Sequence, residues 1–288
     1  MYSSRRTPKA NDPYGEFHLV LNKVHSDADR PSTEWLNMGY WKTETIFPKA
    51  CEALALLLCK SARIKNGDRV LDVGYGCGDS LLLFLTHEDI PQLRSLSGIT
   101  SLPAHHYKSR VRMDELLSSE PGLAARTSVE LFEGDAVWRE GVTSTQHPLS
   151  RYSRRDFDVI FALDCAYHFN TRREFLEESF AHLAPGGRIA LADICFDQTP
   201  AGAVTLLLST ILRTMPRANA TSKVDYAAGM TDIGFTEVTM QDITEDVFPG
   251  FMCFLSTQSM AFRLLGKSIG LLQTLGARFV IVTGTRTA

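Results

Sequence analysis

Three glycines at alternate positions, Gly74, Gly76 and Gly78, are the residues best suited to hold a ligand. Before them Val70, Leu71 and Val73 form the short apolar run of a buried parallel strand. After them Ser80-Leu-Leu-Leu-Phe-Leu85 opens a helix. Strand, glycine loop and helix make a place where a ligand lies against bare main chain. A dinucleotide fingerprint needs its third glycine where Asp79 stands, and a carboxylate there opposes a pyrophosphate drawn to a helix N-terminus. Asp72, in the approach to the loop, suits an ammonium better than a phosphate. These features point to S-adenosyl-L-methionine as cofactor, with an ordinary strand-to-helix turn as the bland alternative.

The elements around this loop alternate. A helix spans about 47–62, with Pro48 in its first turn. Strands are expected at Leu93–Thr100, Thr127–Glu133, Phe157–Leu163, Arg188–Asp193, Phe235–Gln241 and Arg278–Thr283. Helices are expected at Ala104–Leu117, Arg172–Leu183 (closed by Pro185-Gly-Gly187) and Tyr226–Ile233. This alternation predicts an α/β fold, a doubly wound, mostly parallel seven-stranded sheet whose last strand is antiparallel. Residues 1–46 read as an N-terminal helical and aromatic lid, and 47–288 as the main domain. Helices inserted at about 197–231, notably 203–212, and at about 251–275 interrupt the alternation. Residues 1–12 read as a polar, mobile start.

The chain of 288 residues is 44% hydrophobic, ordinary for a globular protein. A net charge of −3 gives no electrostatic case for a nucleic-acid partner. Its six cysteines form no C-x-x-C, which argues against zinc and a thioredoxin-like motif and suits a reducing, cytoplasmic setting. No secretory signal and no transmembrane span are expected. Arg151-Tyr-Ser-Arg-Arg155 reads as a solvated loop, and His105 and His106 as exposed at a helix start.

Four motifs now carry a family likeness: Val70–Gly78, Gly134-Asp-Ala136, Leu163-Asp-Cys-Ala-Tyr-His-Phe169 and Leu183-Ala-Pro-Gly-Gly-Arg-Ile189. In this order and spacing the chain resembles class I, Rossmann-like S-adenosylmethionine-dependent methyltransferases. It is most similar to the small-molecule branch that includes ubiquinone, tocopherol, phosphoethanolamine and natural-product sugar methyltransferases. The resemblance implies that Gly74, Gly76 and Gly78 line the methionine and ribose, and that Asp72 holds the methionine ammonium directly or through water. It implies Asp135 and the Ala136 N–H on adenine, the Leu163 carbonyl towards the methionine amine, Tyr40 on the cofactor and Trp41 as a pocket wall. The second strand ends Gly98-Ile99-Thr100 without the usual ribose-binding carboxylate. Ile99 would then sandwich the adenine and Thr100 would bind the ribose.

S-Adenosyl-L-homocysteine would be the product. If the acceptor is a hydroxyl, a base must take its proton. The resemblance makes His168 that base, at the edge where doubly wound sheets bind ligands, with Asp193 on the next strand orienting it. No metal-ligating cluster is expected. Leu206, Leu207, Leu208, Ile211, Leu212, Met215, Phe251, Met252, Phe254 and Met260 would roof a pocket for a small apolar or aromatic acceptor. They could equally pack the domain or bury in a homodimer contact. Carbon or nitrogen methylation without a base is the nearer alternative. A nicotinamide-dependent oxidoreductase and a fold that binds no cofactor are the competing classes.

Overall fold

The computed structural model describes residues 17–24, 31–144, 146–202, 205 and 215–287. Of the inserted helix expected at 203–212 only Thr205 is described; Leu206, Leu207, Leu208, Ile211 and Leu212, and the start at 1–12, lie outside the described residues. After α1 (Phe17–Asn22) and α2 (Phe47–Ala62) comes β1 (Arg69–Val73), then α3 (Asp79–Thr86), β2 (Ser95–Thr100), α4 (Pro103–Ser119) and α5 (Pro121–Arg126). The chain continues through β3 (Ser128–Glu133), β4 (Phe157–Leu163), α6 (Arg172–His182) and β5 (Leu183–Phe196). It ends with α7 (Lys223–Ile233), β6 (Thr236–Asp242), α8 (Thr244–Ser256), α9 (Met260–Thr274) and β7 (Ala277–Thr285).

The sheet has seven strands in the order β3-β2-β1-β4-β5-β7-β6. Pairings among β1 to β5 are parallel, and β7 runs antiparallel to β5 and β6. The order reverses between β1 and β4, which opens a crevice at their carboxyl ends. Val159, Ile160, Phe161 and Ala162 of β4 are all fully buried, as a central parallel strand requires. One face packs on α2 and α8, bringing Leu54, Leu58, Phe248 and Phe279 together. The other packs on α6 and α7 through Phe175, Tyr226, Met230 and Phe235. Each such side chain stabilises the fold by roughly 1.5–3 kcal/mol through apolar burial.

Two elements differ from the sequence reading. Pro185-Gly-Gly187 is no closing turn but part of β5, which begins at Leu183. Gly186 N–H donates to the Arg286 carbonyl at 2.7 Å and Arg286 N–H to the Gly187 carbonyl at 2.9 Å, drawing the turn residues against the chain just past β7. The helix expected at 251–275 is two helices, α8 and α9, parted at 257–259. The hydroxyls of Ser256 and Thr257 bond back to the Cys253 and Phe254 carbonyls, 2.6 and 2.7 Å away. Such side-chain bonds compete with helix continuation.

Candidate active site

A cavity of about 620 Å³ opens at the carboxyl ends of β1 and β4. One end is built from Gly74, Gly76, Ile99, Thr100, Asp135, Ala136 and Leu163. The other is mostly apolar, with Phe196, Met215, Phe248, Phe251, Phe262 and Ile269. His168, Phe169 and Asn170 also line it.

The glycine loop leaves no room for side chains. Gly74 sits at φ +80°, and a Cβ there would meet the Cys165 sulfur at 2.6 Å. A Cβ on Gly76 would meet Leu36 Cδ1 at 2.7 Å. Gly78 does not line the cavity; it precedes α3 and backs onto Ser109 of α4. Ala136 N–H makes no hydrogen bond among the described residues, so this wall keeps a donor for a ligand. A bare loop, an uncommitted N–H and the apolar Ile99 beside it fit a nucleoside carrying an amino-acid tail.

Asp72 is fully buried on β1 behind the loop and does not line the cavity. Its Oδ2 accepts from the Ser80 hydroxyl at 2.5 Å, and Oδ1 has no partner among the described residues. Burial pushes its carboxyl up to about 7, against the pull of the Ser80 bond. Asp79 has a different job from the one read in the sequence. Its carboxylate forms a two-pronged pair with Arg112, both bonds 2.8 Å, and accepts Glu34 N–H. Arg112 therefore offsets the charge held against a diphosphate, and Asp79 anchors the segment before α2.

That segment reaches the cavity through other residues than expected. Trp35, Leu36, Asn37 and Met38 line it. Tyr40 and Trp41 turn away: the Tyr40 hydroxyl donates to Asp246 at 3.2 Å, and Trp41 stacks on Phe254 with ring centres 5.5 Å apart. Both pack against α8. Met38 N–H donates to Asp164 Oδ2 at 2.7 Å, tying the segment to the exit of β4. Asp164 has a left-handed backbone, φ +56°, and burial lifts its carboxyl to about 8.

His168 stands exposed on the single helical turn Ala166–His168 after β4, its ring beside Tyr167 with centres 4.1 Å apart. Asp193 lies in a buried cluster instead of on the cavity wall. Its Oδ2 pairs with Arg172 at 2.9 Å and accepts the Tyr226 hydroxyl at 2.9 Å, while Oδ1 accepts Ile194 N–H. Both oxygens are thereby committed, and the expected orientation of the imidazole by this carboxylate gives way to an indirect link. Arg172 also donates to the carbonyls of Ile194 and Asn219, and its own N–H goes to Asn219 Oδ1. Asn219 Nδ2 then donates to the carbonyls of Tyr167 and Phe169, one on each side of His168.

Other positions differ from the sequence expectation. His105, in the first turn of α4, is not exposed as expected but buried on the cavity wall, 2% exposed. His106 bonds the Tyr75 hydroxyl at 2.8 Å. Nothing in the sequence singles out Asn219 or His147, since each acts through backbone atoms of other residues. Four of the cysteines are buried, Cys165 is half-buried and Cys253 exposed. Among the described residues no group of acidic, His or Cys side chains could hold a metal, and no helix is long and apolar enough to cross a membrane.

A family model described as a methyltransferase domain matches residues 43–239, more than half of the chain. The chain belongs to that family, which uses S-adenosyl-L-methionine. It is 26% identical over 235 residues to erythromycin 3''-O-methyltransferase of Saccharopolyspora erythraea, covering 78% of this chain and 70% of that protein. It is 28% identical over 170 residues to 27-O-demethylrifamycin SV methyltransferase of Amycolatopsis mediterranei, covering 59% of this chain and 54% of the relative. This second match spans about half of the relative's length. Geranyl diphosphate C-methyltransferase from Streptomyces coelicolor A3(2) shares the fold, with a TM-score of 0.65 at 15% identity over 96% of this chain and 99% of that one. The protein is thus an S-adenosylmethionine-dependent small-molecule methyltransferase.

Proposed function

We propose that the enzyme methylates a hydroxyl of a small, largely apolar or aromatic acceptor, a secondary metabolite or lipid-like compound, with His168 as general base. One observation carries this reading: His168 and the glycine loop open on one cavity whose far end is apolar. When bound, the cofactor supplies an electrophilic methyl group on a sulfonium. The apolar lining holds the acceptor and excludes water, which favours in-line displacement over hydrolysis. His168 takes the hydroxyl proton as the oxygen becomes nucleophilic. Ala136 N–H and Asp135 hold the adenine, Ile99 covers its face, Thr100 meets the ribose, and Asp72 acts on the ammonium from behind the loop. Residues 1–46 serve as a cover on the 47–288 domain, a role that the cavity contacts of Trp35 to Met38 support. The reading includes a cytoplasmic setting.

The test is transfer of an isotopically labelled methyl group to a panel of hydroxylated polyketide and aromatic natural products, with amines and alkenes of similar size as controls. Label on oxygen is the expected result. Label only on nitrogen or carbon contradicts the hydroxyl reading and leaves the methyltransferase class intact.

A further inference from the structure

The cavity wall at Gly134–Ala136 is held from behind by a residue that takes no part in the reaction proposed above. His147 is 2% exposed, in the loop between β3 and β4. Its Nε2 lies 2.8 Å from the Asp135 carbonyl oxygen, and its Nδ1 lies 3.1 Å from the Leu149 N–H. A carbonyl only accepts and an N–H only donates, so the two contacts together require the neutral ring with its proton on Nε2.

The bond to Asp135 has a consequence one atom away. The Asp135 carbonyl and the Ala136 N–H belong to one planar trans peptide, so they point in opposite directions. Fixing the oxygen against His147 fixes the N–H on the far side. Ala136 and Asp135 line the cavity, and the Ala136 N–H has no acceptor among the described residues. Asp135 Oδ1 also accepts Val137 N–H at 3.0 Å, which sets its side chain against the same turn. The ring packs close to the turn as well, since a Cβ on Gly134 would stand 3.6 Å from His147 Cδ2.

We propose that His147 is a positioning residue for the cofactor's purine: it grips the back of the Asp135–Ala136 peptide so that the front of that peptide reads the adenine edge. This rests on the assignment of Asp135 and Ala136 to adenine. His147 touches no reacting atom and acts on cofactor affinity and on discrimination between bases.

The test compares two amide substitutions by calorimetric titration of the full chain. In His147→Gln the amide nitrogen reaches the place of Nε2 and can still donate to Asp135. In His147→Asn the amide reaches only the place of Nδ1, so the loop keeps its Leu149 contact and the grip on Asp135 is lost. The probes are S-adenosylhomocysteine and S-inosylhomocysteine, which differ only at the purine edge. Wild type should prefer the adenine compound. His147→Asn should weaken S-adenosylhomocysteine about tenfold, the scale of one hydrogen bond, with a smaller effect on the inosine compound. His147→Gln should stay within about threefold of wild type for both. Equal affinities of both variants for S-adenosylhomocysteine, or losses in His147→Asn that are equal for the two probes, would overturn the proposal. A wild type that binds both probes alike overturns the adenine assignment itself, and the proposal with it.

Discussion

Arg172 and Asp193 meet inside the protein at 2.9 Å, with side chains 4% and 0% exposed. A buried pair stabilises only when further hydrogen bonds offset its desolvation. Here they are present. Arg172 lies 4.0 Å over the Tyr226 ring and donates to Thr221 as well as to main chain, and Tyr226 donates to Asp193. The pair leads through Asn219 to the turn that carries His168.

Asp193→Ala removes the counter-charge and leaves the guanidinium buried. A loss of roughly 3–5 kcal/mol in urea unfolding is expected. Asp193→Asn keeps an acceptor for Tyr226 and should cost less. A loss within about 0.5 kcal/mol in the alanine variant, the range of ordinary surface changes, would mean that the cluster does not hold the fold.

Asn219→Ala deletes the donors to Tyr167 and Phe169. Turnover should fall about tenfold or more, since small displacements of a base are costly. Binding of S-adenosylhomocysteine should not change, because Asn219 is not among the residues that line the cavity. An equal fall in cofactor binding would show that the clamp serves the whole pocket.

Much of this was legible in the residues. The glycine loop, the strands and the carboxyl-edge location of His168 follow from short-range periodicity and from the alternation of elements. What periodicity cannot carry is the direction in which a side chain leaves its element. Asp79 reads as a charge facing the ligand, yet Arg112, a whole strand and helix later, turns it towards Glu34. Tyr40 and Trp41 read as pocket aromatics, yet α8 offers them Asp246 and Phe254. Asn219 contributes through main-chain carbonyls, whose positions depend on the assembled fold.

Asp164 should make the cofactor-free protein less stable as pH rises. An unfolded aspartate titrates near the ordinary 3.8, while burial holds the native one to about 8. Between these values the unfolded chain releases a proton that the native chain keeps, so stability falls with increasing pH across that window. Asp164→Asn cannot ionise and keeps an acceptor for Met38 N–H. Its thermal midpoint relative to wild type should therefore rise from pH 5 to pH 9. Asp72 and Glu178, each lifted by burial to about 7, act in both proteins and cancel in the difference. A midpoint difference that is flat with pH would show that Asp164 ionises normally.

Gly74→Ala places a methyl group where the Cys165 sulfur stands and forces a left-handed backbone on alanine, a cost of roughly 1–2 kcal/mol before the clash. S-Adenosylhomocysteine should bind at least about tenfold more weakly by calorimetry, one decade per 1.4 kcal/mol. Unchanged affinity would remove the loop from the cofactor site.

The central claim is proton removal by His168 in a site that binds its cofactor independently. The deciding measurement is the single-turnover rate of methyl transfer by His168→Ala at saturating cofactor and acceptor, with S-adenosylhomocysteine affinity measured on the same protein. A rate at least about 100-fold below wild type with unchanged affinity is the expected result. A near-normal rate would contradict it and point to an acceptor that needs no base.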